Sequence, residues 1–276
     1  ELKEISFSKD ELIGTSSVGT KIKDIISKVA PTASRLLITG ESGTGKDLVA
    51  KEIHLNSLYK DGPFIVINAS LLEPEGIENE LFGVELNGII KHTGFFEKAN
   101  KGTLYIDEVG EMPIQTQIKI LRVLTDQSFT RMGGDKIINI ETRIIASSTK
   151  DLLLAIENNQ FRKDLYHRLN VVELNLPRLV DRLEDLDELI DYFTKNFCKE
   201  NGVSNKNIIS KIKDKYLHYD WPGNIRELKN NVERELIIGE KHDLSNNNDL
   251  NSAFDQKNVI SMPIKNAREA FEKNYL

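Results

Sequence analysis

The chain has 276 residues, 39% of them hydrophobic and 29% charged, with a formal net charge of −6. It is long enough for a hydrophobic core and a second, smaller domain, and its acidic balance argues against a surface that binds DNA over its whole extent. A single cysteine, Cys198, excludes an internal disulfide framework and favours a cytoplasmic protein, and no apolar run approaches the length of a membrane span.

Short apolar runs alternate with stretches of helical periodicity through the first part of the chain. The predicted strands are Leu36–Thr39, Phe64–Asn68, Thr103–Ile106 and Thr142–Ser147, and the helices between them include Lys46–Leu55 and Ile114–Leu124. Strands that alternate with helices indicate a parallel sheet covered by helices on both faces. We therefore predict an α/β core over residues 1–176.

The pattern changes near Pro177, beyond which the sequence predicts helices and no strand. Apolar side chains recur along one face of a helix at Leu186, Leu189, Ile190, Phe193 and Phe197. Asn201-Gly202 ends that helix, and a second one is predicted by Ile209, Ile212 and Tyr216. We assign residues 177–242 to a small helical lid domain.

A further helix of this lid is predicted in "WPGNIRELKNNVERELIIGE", with Asn224 as N-cap, Glu227 as capping-box partner and Gly239 as C-terminal stop. A polar linker over residues 243–262 follows. Residues 263–276 have the pattern of a helix start, and the chain opens without methionine. We therefore expect a fragment of a longer protein.

The stretch "GESGTGKD" follows a predicted strand, opens a predicted helix and matches the phosphate-loop pattern G-x-x-x-x-G-K. Its glycines let backbone N–H groups turn toward phosphate oxygens, and Lys46 would reach the β and γ phosphates of ATP or ADP. Asp47 replaces the usual Ser or Thr, but a carboxylate can hold Mg²⁺ directly or through water. The alternative, a plain glycine-rich turn, fits this context less well. The predicted nucleotide-binding residues here are Gly40, Glu41, Ser42, Gly43, Thr44, Gly45, Lys46, Asp47 and Leu48.

In "TLYIDEVGE", an apolar strand ends in two adjacent acids. Asp107 would hold Mg²⁺, and Glu108 would orient and deprotonate an attacking water. Two adjacent acids at a strand end often belong only to a solvated turn, but the presence of the phosphate loop in the same chain favours a catalytic role. A glutamate in this place favours hydrolysis over phosphoryl transfer to a bound metabolite.

Two arginines, Arg162 and Arg168, precede the predicted strand "NVVEL". Lone arginines are usually surface charges. In this position they could face a neighbouring subunit, where an arginine supplied in trans stabilises the charge that spreads over the γ-phosphoryl oxygens.

The motifs "GESGTGKD", "ELFG", "GTLYIDEVGEMP", "QIKILRVL", "FTRMGG", "FRKDLYHRLNV" and "WPGNIRELKN" occur in this order over roughly residues 12–240. With them the chain resembles the central AAA+ ATPase domain of bacterial enhancer-binding proteins, which activate the sigma-54 form of RNA polymerase. In that family Asp or Glu follows the loop lysine, so Asp47 fits the pattern. The resemblance implies a P-loop NTPase core followed by an α-helical lid.

The resemblance also implies roles for single residues. It makes Arg162 and Arg168 the trans-acting arginines and Arg226 the lid arginine that senses nucleotide. Asn68 would restrain the catalytic Glu108, and Ile13 and Gly14 would form part of the adenine pocket. Two of these residues also have simpler explanations: Asn68 could simply end a strand, and Arg226 could simply be a charge in the first turn of its helix.

The sequence departs from the family pattern at two places. Thr149 stands where the family usually has an Asn that senses the γ-phosphate; it keeps a hydroxyl but lacks the amide. After "ELFG" the family carries G-A-F-T-G-A on a long hairpin that contacts the sigma factor, whereas this chain has the shorter "VELNGIIKHTGFFEKA" over Val84–Ala99. Contact with the sigma-54 polymerase is therefore doubtful.

With these departures the chain resembles one branch of the family, the NtrX-type response regulators. That likeness implies an N-terminal receiver domain that accepts phosphate from a membrane sensor histidine kinase. It also implies a C-terminal helix-turn-helix domain that binds DNA and begins at residues 263–276. Two hypotheses stay open: an ATPase that works as a homo-oligomer, from dimer to hexamer, and regulates transcription, or a non-hydrolysing, nucleotide-bound dimerisation scaffold that positions DNA-binding domains. A metabolite kinase is a remote third.

Overall fold

The computed structural model describes residues 12–71, 76–202 and 219–243, with side chains described as far as residue 237. The predicted helix around Ile209–Tyr216, the linker beyond Asp243 and the segment 263–276 lie outside these residues. Within the described part of the chain, no helix combines the length and apolar character needed to cross a membrane.

Helices and strands alternate along the described chain. The helices are α1 (Ser17–Val29), α2 (Lys46–Leu55), α3 (Ile77–Phe82), α4 (Phe95–Lys98), α5 (Ile114–Asp126), α6 (Leu152–Glu157), α7 (Lys163–Leu169), α8 (Leu186–Asn201) and α9 (Asn224–Asp243). The strands are β1 (Leu36–Thr39), β2 (Phe64–Asn68), β3 (Gly83–Leu86), β4 (Ile89–Thr93), β5 (Thr103–Asp107), β6 (Ser128–Thr130), β7 (Ile137–Asn139), β8 (Arg143–Ser148) and β9 (Val172–Asn175). Short 3-10 segments lie at Ala69–Leu71, Val109–Glu111 and Leu179–Asp185.

A five-stranded parallel sheet in the order β2-β5-β8-β1-β9 forms the centre of the α/β part. The predicted strands and the α/β class are confirmed, with strand ends shifted by one residue at most in β5 and β8. Alternate residues point to two separate apolar clusters: Leu104 and Ile106 join one, whereas Leu36 and Ile145 join the other. Both faces of the sheet are therefore buried, as an all-parallel sheet requires.

The register of the sheet decides which polar residues meet. Asn68 is level with Asp107 across β2 and β5, and Thr39 is level with Ser148 across β1 and β8. Because all strands are parallel, their carboxyl ends lie at one edge. The phosphate loop after β1, the acids after β5 and Thr149 after β8 consequently emerge side by side.

Two antiparallel hairpins, β3–β4 and β6–β7, lie outside the central sheet. The first turns through Asn87-Gly88, which have φ of 52° and 75°. Positive φ at both positions defines the tight two-residue turn that Asn-Gly favours. Val84–Ala99 therefore forms a short hairpin followed by α4, as the sequence predicts; the β6–β7 hairpin was not predicted.

The lid helices agree with the predictions in part. Gly202 ends α8 with φ of 68°, as expected. The N-cap assignment of Asn224 is wrong, because its side chain bonds outside the helix; Glu227 still reaches back to the helix start and accepts from the Gly223 N–H at 2.8 Å. Gly239 does not stop α9, which continues to Asp243. A helical glycine costs only about 1 kcal/mol relative to alanine, so the residues after it can continue the helix.

Candidate functional site

The β1–α2 loop has the backbone of a phosphate loop. Gly40, Gly43 and Gly45 have φ of 148°, 79° and 100°, values that L side chains rarely adopt. Gly43 is also in close contact with the lid, since a Cβ added there would lie 2.2 Å from the Gly223 carbonyl oxygen. The loop leads directly into α2, so the N–H groups of the loop and the N-terminus of the helix can bind the same anion.

Lys46 brings the loop and the acidic strand end together. It is 6% exposed, and its Nζ donates to the carbonyl oxygens of Gly40 at 2.9 Å and Glu41 at 3.1 Å. The same Nζ lies 3.7 Å from Glu108 Oε1. The cation of the loop therefore lies between the loop backbone and the carboxylate that follows β5. Next to it, Thr44 is buried and donates its hydroxyl to the Glu41 carbonyl, and Leu48 is partly buried on α2.

Asp47 and Asp107 converge on one hydroxyl group. The Tyr105 hydroxyl lies 3.0 Å from Asp47 Oδ1 and 3.2 Å from Asp107 Oδ1, and 3.0 Å from Ser147 Oγ. Partial burial, and then the charge of Asp107, raise the pKa of Asp47. Burial and both carboxylates raise the pKa of Tyr105, so this phenol stays a neutral donor.

Two carboxylates that repel each other around one hydroxyl suit a divalent cation, whose oxygen ligands are typically carboxylates and water. Asp47 is accessible to solvent and Asp107 partly so. The donor set therefore fits the Mg²⁺ predicted from the sequence. Sequence reasoning missed Tyr105, although it lies two residues before Asp107 and so on the same face of β5.

Glu108 follows β5 in the left-handed region, with φ of 54° and ψ of 49°. Non-glycine residues in this region are uncommon and concentrate at functional sites. Its N–H donates to Ser147 Oγ at 3.3 Å, and its Oε2 accepts from Thr149 N at 2.9 Å and Thr149 Oγ1 at 2.8 Å. Glu108 and Thr149 are therefore in direct contact.

Asn68 does not restrain Glu108 in this structure, contrary to the prediction. Its Nδ2 donates to Asp107 Oδ2 at 2.7 Å. The register of β2 and β5 explains the difference, because Asn68 is level with Asp107 and not with the residue after it.

The lid contacts the phosphate loop through the start of α9. Arg226, predicted to sense nucleotide, donates through Nη1 to Ser42 Oγ at 3.0 Å. Asn224 is fully buried; its Nδ2 donates to the Ser42 carbonyl at 3.1 Å and to Glu41 Oε2 at 3.2 Å, and its Oδ1 accepts from Leu179 N at 2.8 Å. Asn224 was assigned only a capping role from the sequence, and its backbone φ of 52° explains why it leaves that role.

Arg182 is a second residue that sequence reasoning missed. It is 5% exposed, and its Nη2 donates to the Thr44 carbonyl at 3.1 Å. Burial lowers the pKa of Arg182. No sequence signal separates it from the neighbouring Arg178, which is exposed and paired with Asp181.

The predicted adenine-pocket segment lies against the 3-10 segment that begins the lid part. Gly14 has φ of 139°, its carbonyl accepts from Lys23 Nζ at 2.7 Å, and a Cβ there would lie 2.9 Å from Asp185 Oδ2. The buried Asp185 accepts from Ser16 N at 2.7 Å and Ser16 Oγ at 2.8 Å. The chain at Gly14 and Ser16 is therefore held beside this 3-10 segment.

The two predicted trans-acting arginines differ in their surroundings. Arg162 has a side chain 37% exposed and pairs with Asp164 at 2.6 Å. Arg168 is partly buried and donates through Nη2 to the Leu124 carbonyl at 3.2 Å, near the end of α5, where Arg35 donates as well. Neither Arg162 nor Arg168 contacts Lys46 or Glu108 of its own chain.

Two protein-family models match the chain: the sigma-54 interaction domain over residues 12–175 and the AAA+ ATPase lid domain over residues 180–265. The nitrogen assimilation regulatory protein NtrX of Azorhizobium caulinodans is 39% identical over 290 residues, covering 100% of this chain and 64% of that protein. A putative NtrX-like response regulator of Rickettsia conorii is 38% identical, covering 100% of this chain and 61% of that protein.

Among solved structures, NtrX from Brucella abortus in complex with ADP is 39% identical with a TM-score of 0.79, covering 96% of this chain and 62% of that one. The same protein in complex with ATP gives a TM-score of 0.76 at 39% identity, with the same coverage. The chain thus spans 61–64% of the length of these relatives.

Proposed function

The chain belongs to the sigma-54 interaction domain family and carries the AAA+ ATPase lid, and from this membership we propose that it binds ATP with Mg²⁺ and hydrolyses it as an oligomer. One observation carries the proposal. The lysine of the phosphate loop, the carboxylates of Asp47 and Asp107 and the carboxylate of Glu108 converge at one edge of the sheet. A phosphate loop that only binds Mg²⁺ and nucleotide does not need the third of these, the carboxylate of Glu108.

Each residue of this group has a distinct task in the proposal. Lys46 and the loop N–H groups bind the β and γ phosphates. Asp47 and Asp107 hold Mg²⁺, which neutralises charge on the phosphate oxygens when bound. Glu108 orients a water and accepts its proton as the water attacks the γ-phosphorus, and ADP leaves.

The lid completes the nucleotide site. Arg226 lies on the loop through Ser42, so its guanidinium is placed to respond to phosphates held there. Gly14 packs against Asp185, whose carboxylate accepts from the nearby Ser16, and in this proposal Ile13 and Gly14 border the adenine. This arrangement supports a nucleotide bound between core and lid, in accord with the ADP and ATP complexes described for NtrX of Brucella abortus.

Hydrolysis requires a second copy of the chain in this proposal. The Arg162 side chain is partly exposed, and solvent weakens its ion pair with Asp164, so in this proposal the guanidinium exchanges Asp164 for a neighbour's γ-phosphate. The number of copies, from dimer to hexamer, stays a prediction.

The biological role we propose is transcription control in a two-component system. The relatives are longer than this chain, and the remaining length is sufficient for a DNA-binding domain and for a receiver domain that a sensor histidine kinase phosphorylates. The β3–β4 hairpin ends in a two-residue turn and lacks the sigma-contacting motif of the family. We therefore propose repression, or activation by a route other than sigma-54 contact.

A second candidate function is a nucleotide-bound scaffold without turnover. One observation favours it: Thr149 stands where the family usually has an Asn that senses the γ-phosphate, and it lacks the side-chain amide. In that case the nucleotide would only fix the core and lid for dimerisation.

Nucleotide affinity and ATP turnover of Glu108→Gln and Lys46→Ala separate the two candidates. An ATPase requires that Glu108→Gln keep ATP affinity and lose turnover by about 10²- to 10⁴-fold, the usual contribution of a general base. Lys46→Ala should lose affinity as well. If the unaltered chain binds ATP tightly but does not hydrolyse it at any protein concentration, the ATPase proposal is excluded and the scaffold function is supported.

The proposed role at the promoter has its own test. Open-complex formation by sigma-54 polymerase should stay at background when this chain, or the longer protein that contains it, is added with ATP. ATP-dependent open complexes in that assay would refute the proposal that the short hairpin lacks sigma-54 activity.

A further inference from the structure

The carboxylate of Glu108 is held asymmetrically. Both Thr149 donors, the backbone N–H and the Oγ1 hydroxyl, bond to the same oxygen, Oε2, at 2.9 and 2.8 Å. The other oxygen, Oε1, faces Lys46 Nζ at 3.7 Å. One oxygen is thus fixed, and the other is directed toward the lysine of the phosphate loop.

Asn68 is occupied elsewhere and cannot share this task in the observed arrangement. Its Nδ2 donates to Asp107 Oδ2, and its Oδ1 accepts from Ser70 N at 2.9 Å and Ser70 Oγ at 2.6 Å. Both ends of the amide therefore have partners other than Glu108.

The fold explains why Thr149 reaches Glu108. Strands β5 and β8 are parallel neighbours, so the residues that follow them emerge together. Glu108 N–H donates to Ser147 Oγ, and the left-handed backbone of Glu108 turns its side chain toward the end of β8. The contact thus joins the residues that follow two adjacent strands of the rigid sheet.

We infer that Thr149 is the positioning residue for Glu108: its hydroxyl fixes Oε2 so that Oε1 can accept the proton of the attacking water. This inference rests on the proposed ATPase function. It gives Thr149 a task different from the γ-phosphate sensing expected from the family pattern, since its hydroxyl proton is used on the carboxylate.

Thr149→Val removes the hydroxyl and keeps the shape and the backbone N–H, whereas Thr149→Ser restores the hydroxyl. Loss of one hydrogen bond to a charged group should lower kcat roughly tenfold in the valine variant and leave KM for ATP within about twofold. The serine variant should stay near the parent kcat. Thr125→Val is a matched control, because Thr125 is exposed and donates its hydroxyl only to its own helix, at the Leu121 carbonyl.

Nucleotide affinity measured in the Glu108→Gln background separates positioning from phosphate sensing, since hydrolysis does not interfere there. Adding Thr149→Val to Glu108→Gln should leave the affinities for ATP and ADP unchanged. A selective loss of ATP affinity would overturn the inference in favour of direct contact with the γ-phosphate.

Two further outcomes are decisive. If the parent chain turns over ATP and Thr149→Val has the same kcat, the inference fails and the proposed ATPase function stands. If the parent chain itself binds ATP without turnover, the proposed function fails and the positioning role falls with it.

Discussion

At the scale of single residues, the site depends on backbone conformations that side chains normally avoid. Gly43 and Glu108 both have positive φ, and each lies where the chain changes direction at the carboxyl edge of the sheet. For Gly43 the reason is a close approach to the lid; for Glu108 it is the direction of a carboxylate. Strain of this kind persists only where the surrounding structure fixes it.

Gly43→Ala should destabilise the protein and weaken nucleotide binding. The new Cβ would lie 2.2 Å from the Gly223 carbonyl oxygen, so the loop or the start of α9 must move. We expect a loss of more than about 2 kcal/mol in the free energy of unfolding. Chemical denaturation and ATP titration measure the two effects.

Gly88→Ala provides the matched control for this change. Gly88 has φ of 75°, close to the 79° of Gly43, but no atom lies within 4 Å of its Cβ position. Its loss should be about 1 kcal/mol, from backbone strain alone, with ATP affinity unchanged. Equal effects of the two alanines would contradict the proposed contact between the loop and the lid.

Residue types and spacing predicted much of the site but not its contacts. Lys46, Asp107 and Glu108 come together as their motifs require, because motif spacing fixes where loops leave the sheet. The sequence does not specify which acid Asn68 contacts, because the choice between Asp107 and Glu108 depends on strand register. The local preference of Asn predicts a cap at Asn224, whereas the tertiary contacts that override this preference are distant in sequence.

At the scale of elements, α2 is attached to the sheet through a buried histidine. His54 is 2% exposed, its Nδ1 lies 2.9 Å from Thr103 Oγ1 on β5, and its ring packs at 5.0 Å from that of Phe64 on β2. Burial, and then the charge of Arg143, lower the pKa of His54 below its usual value.

The protein should therefore lose stability as the pH falls through about 6.5, the usual pKa of histidine. Below that pH the unfolded chain binds a proton that the folded chain binds only at lower pH, so acid favours unfolding. Melting temperatures between pH 7.5 and 5.5 should fall less for His54→Gln than for the parent chain. His167→Gln, at an exposed position, should have the same dependence of melting temperature on pH as the parent chain. If His54→Gln also has the same dependence as the parent chain, His54 is not the group responsible.

The elements differed in how well the sequence predicted them. The central strands were found because burial on both faces gives continuous apolar runs. The β6–β7 hairpin was missed because its strands are only three residues each, too short for a clear alternation. Glycine often ends helices, so the sequence predicts a stop at Gly239, but a single glycine weakens a helix without breaking it.

At the scale of the whole molecule, neither of the two predicted trans-acting arginines contacts Lys46 or Glu108 of its own chain. Lys46 and Arg226 contact the phosphate loop within the chain, whereas Arg162 pairs with Asp164 and Arg168 donates to the end of α5. An assembly that supplies Arg162 from a neighbour would complete the site. Arg168→Ala should also reduce activity, but with a loss of thermal stability, because its guanidinium supports the carbonyl groups at the end of α5.

ATP hydrolysis measured as a function of protein concentration tests the central claim most directly. Specific activity should rise with concentration in the parent chain and in Arg122→Ala, a control at an exposed position on α5. Arg162→Ala should fold and bind ATP normally and lose turnover by on the order of 10³-fold at every concentration. Specific activity that is independent of concentration, or that survives Arg162→Ala, would contradict a site completed between subunits.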